Sequence, residues 1–207
     1  MKKVLHIIAS PRGVNSRTLR IADALIKKIQ KDLPGAEIDI LDVFNEKLPE
    51  MNITRVKGKY MLMSGQELSG DAIAAWEEIK NHINRFLAAD IIVISTPMWN
   101  FGIPYKLKHY IDVVWQPGFM FKYTETGPVG LAAGRKVFVV STRGGDYSAK
   151  TPAEPFDQIT PYLKTVLGWA GLEPQFISAQ PMDANTEEGR EILIQAAIKQ
   201  AESISFA

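Results

Sequence analysis

The chain has 207 residues, with 24 Lys and Arg against 23 Asp and Glu, and no cysteine. This length is ample for one domain with its own core, and the near-neutral balance gives no electrostatic footprint for nucleic acid. The lack of cysteine excludes disulfides and thiolate-bound metals and suits a reducing compartment, so a cytoplasmic protein is expected.

The opening MKKVLHIIAS imitates a secretory leader. Its apolar run covers only Val4 to Ala9, however, and Pro11-Arg12-Gly13 follows without a small-x-small cleavage site. It reads as a first strand, buried on both faces as in a parallel sheet. No apolar stretch approaches the roughly 18 residues of a membrane span. After a loop, Leu19, Ala22, Ile26, Ile29 and Leu33 recur at helical spacing until Pro34-Gly35 stops the helix. Glu37 to Leu41 alternates like a strand near a sheet edge. Residues 43–70 are polar with scattered Met, Tyr and Leu, too long for an idle loop, and are expected to carry short helical turns.

A helix is predicted from Asp71 to Ala88, with Ile73, Trp76, Ile79, Ile83, Phe86 and Leu87 on one side. Asp90 to Ser95 is the third strand. Pro104 opens a helix striped by Leu107, Tyr110, Ile111, Val114 and Trp115. Phe119 to Tyr123, followed by Thr126-Gly127-Pro128, reads as an extended arm and turn. Arg135 to Val140 is the fourth strand, Gln158 to Trp169 a helix, and Gln175 to Ala179 a weaker fifth strand. A last helix over Glu187 to Ser205 carries Ile194, Ala197, Ile198, Ala201 and Ile204. No linker interrupts this order, so residues 1–207 are expected to form a single domain.

Five strands alternating with helices predict an α/β, doubly wound parallel sheet, best fitted by the flavodoxin-like order 2-1-3-4-5. Ligands of such sheets bind outside the carboxyl ends of the strands, at the switch point between strands 1 and 3. The loops 10–18, 97–102 and 142–147 should therefore converge. The first holds the hydroxyls of Ser10, Ser16 and Thr18 and opens a helix, which suits a phosphate; taken alone, Asn15 or Ser16 is better explained as a helix cap. It lacks both the dinucleotide fingerprint and the P-loop pattern. The second, Pro97-Met98-Trp99-Asn100-Phe101-Gly102, places two large aromatics where a flat ligand would bury them. Core or dimer contacts are the alternative for these rings. The third contains Thr142-Arg143-Gly144-Gly145, where glycines permit close main-chain approach. Phosphate, aromatic walls and amide donors together describe a riboflavin phosphate pocket.

Pro97-Met98-Trp99-Asn100-Phe101, Phe121-Lys122-Tyr123-Thr124-Glu125, Gly127-Pro128-x-Gly130-Leu131 and Arg143-Gly144-Gly145 resemble the FMN-dependent NADH-azoreductase and quinone-reductase family, along nearly the whole chain. The resemblance implies a flavodoxin-like homodimer with one FMN per subunit at the interface. It implies ping-pong chemistry: hydride passes from NADH to FMN, then two electrons pass to a quinone or azo compound. By position, Ser10, Ser16, Arg17 and Thr18 would hold the phosphate. Pro97 to Gly102 would border the ribityl chain and ring, and Thr142, Arg143, Gly144 and Gly145 would meet the ring's polar edge. Thr142 stands where the family often has Ser, and Ser16-Arg17-Thr18 where it often reads S-x-S; both keep a hydroxyl.

For the acceptor, Phe119, Phe121 and Phe156 beside Phe101 are the candidates, with residues 51–66 of a second subunit as a wall. No acid–base triad is expected, because the flavin carries the chemistry and His6, His82 and His109 all fall within strands or helices. No metal-ligand spacing occurs. A flavodoxin-like electron carrier or flavin sensor without turnover is the alternative; the long segments at 43–70 and 116–130 favour an enzyme, since a carrier needs an exposed flavin edge.

Overall fold

The computed structural model describes residues 1–183 and 186–206. Strands β1 (Lys3–Ile8), β2 (Glu37–Asp42), β3 (Ile91–Pro97), β6 (Lys136–Thr142) and β7 (Pro174–Ala179) form one sheet in the order β2-β1-β3-β6-β7. Every pairing in it is parallel, with Ile8 opposite Ser95 and Pro97 opposite Thr142. This is the expected order, read over the strands of the main sheet. The predicted arm is a separate antiparallel hairpin of β4 (Phe121–Thr124) and β5 (Gly127–Gly130).

Alternation along the inner strands assigns two cores. Leu5, Ile7, Ile92, Ile94, Val137 and Val139 point to one face, where α3 (Asp71–Leu87), α4 (Tyr105–Val114) and α5 (Thr160–Trp169) cover them. Val4, Ile91, Val93, Phe138 and Val140 point to the other, under α1 (Arg17–Asp32) and α6 (Glu187–Glu202). Ile40 of the edge strand β2 is exposed, although Ile38 on the same side packs against the second core.

Differences from the predicted stripes have local causes. In α1 the buried line runs through Ile21 and Leu25 as well as Ala22 and Ile29, while Leu19, Ile26 and Leu33 lie at its margin. This helix packs against both the sheet and α6, so its covered face is rotated and wider. Ile73 is exposed because α2 (Ile53–Met63) covers the Trp76 side of α3 instead. That eleven-residue helix stands where short turns were expected. Helix α6 ends at Glu202, before Ser205. No helix among the described residues is long and apolar enough to cross a membrane.

Candidate active site

The carboxyl ends of β1, β3 and β6 lie side by side, and the loops leaving them enclose a cavity of about 180 Å³. The first loop contributes Ser10, Ser16, Arg17 and Thr18, the second Pro97, Met98 and Trp99, the third Thr142, Arg143 and Gly144. Asn100, Phe101, Gly102 and Gly145 stand outside this wall, further along the same loops. Sequence reasoning missed Pro11, Arg12, Met182 and Asp183, which also line it. The last two come from the loop after β7, which the switch-point rule does not single out.

Ser16 is the N-cap of α1, its Oγ accepting from the Leu19 N–H at 3.3 Å. The same Oγ lies 2.8 Å from Ser10 Oγ, and both residues are buried. Thr18 Oγ1 lies 2.6 Å from Thr142 Oγ1, joining the first and third loops. The first-turn N–H groups of Arg17 and Thr18 have no acceptor within the helix, and the helix dipole puts positive potential there. Cap and anion site thus occupy the same turn rather than competing for it.

Arg143 lines the cavity, but its side chain turns inward. Its side chain is buried, with Nη1 2.8 Å from Asp157 Oδ2, Nη2 2.8 Å from Thr160 Oγ1 and Nε 3.3 Å from Ser141 Oγ. Burial works against the charge of Asp157, but the Thr160 hydroxyl and N–H, the guanidinium and the Ile159 N–H together hold its carboxyl below the ordinary value. The Arg143 charge is thereby neutralised inside the protein. Its main chain ties the third loop to the fourth: the carbonyl accepts from Met182 N–H at 2.9 Å and that of Gly144 from Asp183 N–H at 3.0 Å. A Cβ on Gly144 would come within 2.2 Å of Asp183 Oδ2, the free end of an exposed side chain, which lies over the bare main chain there.

The aromatic loop is a tight turn. Trp99 and Gly102 exchange both main-chain hydrogen bonds, at 2.9 and 3.0 Å, across Asn100 and Phe101 at φ 47° and 70°. Two successive positive φ values define a primed turn, which Asn tolerates and Phe does not. The Gln158 N–H donates to the Phe101 carbonyl at 3.0 Å and helps hold the strained residue. Trp99 and Phe101 remain 39% and 50% exposed. Trp99 leans on Phe44 at 5.7 Å between centroids, and Phe101 lies 5.7 Å from Phe156 and 6.4 Å from Tyr147.

Phe156 therefore joins Phe101, but Phe119 and Phe121 do not join them within one chain. Phe121 packs on Trp169 at the far end of α5, roughly 15 Å along the helix from its start, and Phe119 packs against the core beside it. The histidines are structural. His6 is buried with Nε2 2.7 Å from Ser95 Oγ, and burial pulls its pKa down to about 4. His82 is also lowered by burial. His109 is half-buried rather than on the open helix surface, its Nε2 donating to the Pro49 carbonyl at 3.0 Å.

The donor set fits FMN. Three buried hydroxyls and a helix N-terminus suit a phosphate, exposed aromatics suit a flat ring, and the close main chain at Gly144 suits its polar edge. A volume of about 180 Å³ lies below the roughly 300 Å³ of a small-molecule pocket. It would take the phosphate and polyol end and meet the ring's polar edge at Gly144, leaving the rest of the ring to extend over Trp99 and Phe101.

The topology and the position of this cavity define the flavodoxin-like class, and the family described as having a flavodoxin-like fold matches residues 2–204. An FMN-dependent NADH:quinone oxidoreductase of Nitratidesulfovibrio vulgaris is 43% identical over 171 residues, which are 83% of this chain and 82% of that one. Another, from Desulfotalea psychrophila, is 34% identical over 209 residues and spans 100% of this chain and 97% of its own. The solved FMN-dependent NADH-azoreductase of Bacillus anthracis str. Ames Ancestor, in complex with FMN, superposes with a TM-score of 0.85 at 28% identity, over 98% of this chain and 96% of its own. The chain belongs to the family of FMN-dependent NADH:quinone oxidoreductases.

Proposed function

We propose that this protein is an FMN-dependent oxidoreductase that takes hydride from NADH and reduces quinones and aromatic azo compounds by two-electron, ping-pong steps. The convergence of three strand-end loops on one hydroxyl-lined, aromatic-rimmed cavity carries this reading. Bound FMN supplies the redox chemistry, accepting a hydride and passing on two electrons. The chain's own residues bind and orient. Ser10, Ser16, Thr18 and the start of α1 hold the phosphate, with the Arg17 main chain. Met98, Trp99, Asn100 and Phe101 wall the polyol and ring. Thr142, Gly144 and Gly145 offer main chain and hydroxyl to the polar edge, with Arg143 acting through its backbone and as the buttress to Asp157. Phe101 and Phe156 form an apolar shelf beside the ring that keeps water away from the reacting face.

The site of one chain is open above this shelf, which favours a homodimer with FMN at the interface. A second copy would bring Phe119, Phe121 and the 51–66 segment to the acceptor site. In this reading the chain acts as one domain, in the cytoplasm, where its lack of cysteine is at home. The purified protein, supplied with FMN, is expected to show a bound-flavin spectrum that bleaches anaerobically with NADH and returns with a quinone or an azo dye. Parallel double-reciprocal lines would support the ping-pong order, and the holoprotein should sediment as a dimer. A bound flavin that resists NADH would point instead to a carrier or sensor.

A further inference from the structure

The polar side chains of the cavity wall are hydroxyls and arginines, with one exception. Asp183 is the only acidic side chain among the described residues that line it. Its position is fixed by the backbone: the Asp183 N–H donates to the Gly144 carbonyl at 3.0 Å, and the preceding Met182 N–H to Arg143 at 2.9 Å. The carboxylate lies directly over the Gly144 main chain, filling the space that a Cβ there would need. No Lys or Arg pairs with it among the described residues. The cation of the adjoining loop, Arg143, faces Asp157 instead. Asp183 is exposed at the rim, and an acidic side chain at the edge of an anion site raises the question of what it acts on.

We propose that Asp183 is a positioning residue that sets the reducing power of the bound flavin. This rests on the reading of the cavity as an FMN site and deepens it. A hydride adds one unit of negative charge to the ring. A carboxylate over Gly144, whose main chain is assigned to the ring's polar edge, opposes that charge from the exposed rim of the cavity. Reduced FMN is then held less tightly, relative to oxidised FMN, than it would be beside a neutral residue. The consequence is a lower potential and a stronger reductant for quinone and azo acceptors. A side chain at Gly144 would turn the carboxylate aside from this position.

The test begins by titrating the wild-type protein with FMN and measuring the potential of the bound flavin by anaerobic equilibration against a reference dye. Asp183→Asn is expected to lower the ratio of reduced to oxidised FMN dissociation constants about tenfold, an upward shift of ~30 mV for a two-electron couple. Asp183→Glu, which keeps the charge, should stay within about threefold of wild type, and Asp183→Ser serves as a second neutral variant if Asn folds poorly. If the neutral variants change both dissociation constants equally, the charge acts at the phosphate and the proposal fails. Unchanged affinity and potential would also overturn it. A wild-type protein that binds no FMN would remove the cofactor assignment itself, and that is seen in the first titration, before any variant is made.

Discussion

Phe101 shows how a single residue can carry stability and function in opposite directions. It sits at φ 70°, next to Asn100 at φ 47°, in a turn that a β-carbon with a ring disfavours by about 1–2 kcal/mol. What the chain gains is an exposed ring over the cavity mouth, 5.7 Å from Phe156. Phe101→Asn should therefore leave stability unchanged or raise it by up to about 1 kcal/mol, since Asn accepts the left-handed region. The same change should raise the acceptor KM about tenfold, near the 1.4 kcal/mol of one lost aromatic contact. Thermal melts and steady-state kinetics on the variant decide this; a Tm several degrees below wild type would show that the ring stabilises the turn. Phe101 and its loop were legible in the sequence because two aromatics after a buried strand are hard to place otherwise. The fate of the Arg143 side chain was not. A charged residue at a strand end looks the same in sequence whether it faces a ligand or a buried carboxylate such as Asp157, fourteen positions on.

At the scale of elements, legibility followed burial. Strands covered on both faces and helices with a covered stripe announce themselves by period. Helix α2 does not, because Ile53, Tyr60 and Met63 are exposed rather than directed inward. It is held by specific contacts instead. The Arg55 guanidinium donates to the Ala75 and Glu50 carbonyls at 2.9 and 2.7 Å and pairs with Glu78 at 2.6 Å, while Trp76 Nε1 donates to the Arg55 carbonyl at 3.0 Å. Gly58 lets the two helices close: a Cβ there would stand 2.2 Å from Trp76 Nε1. Gly58→Ala gains helix propensity but must push α2 off α3, so a net loss of about 1–3 kcal/mol is expected. Denaturant melts should show it as a lower midpoint at an unchanged slope. An alanine variant as stable as wild type would mean that the Trp76 ring moves aside at no cost.

At the scale of the whole molecule, the parallel sheet that was legible from its apolar runs conceals a titratable group in its middle. His6 lies within β1, in a run otherwise apolar, and the sequence placed it in that strand but could not name its partner. In the fold it is 3% exposed, paired with Ser95 on the adjacent strand, and its pKa is brought down to about 4 by burial. The unfolded chain takes up this proton near pH 6.5, the folded one only near pH 4. Between those values the unfolded state binds more protons, so acid favours unfolding. The contribution is fully present above about pH 6.5, is lost as the pH falls toward 4, and amounts to about 3 kcal/mol over that window. Carboxylates held below their ordinary values, such as Asp39 under Arg85, lose their stabilisation only at still lower pH. The two effects therefore separate along the pH axis. Urea melts at pH 7 and pH 4.5 should differ by a few kcal/mol in the wild-type protein and much less in His6→Gln, which keeps a polar partner for Ser95 without a titrating ring. Equal stability of the wild-type protein at both pH values would show that the sheet opens enough to admit the proton.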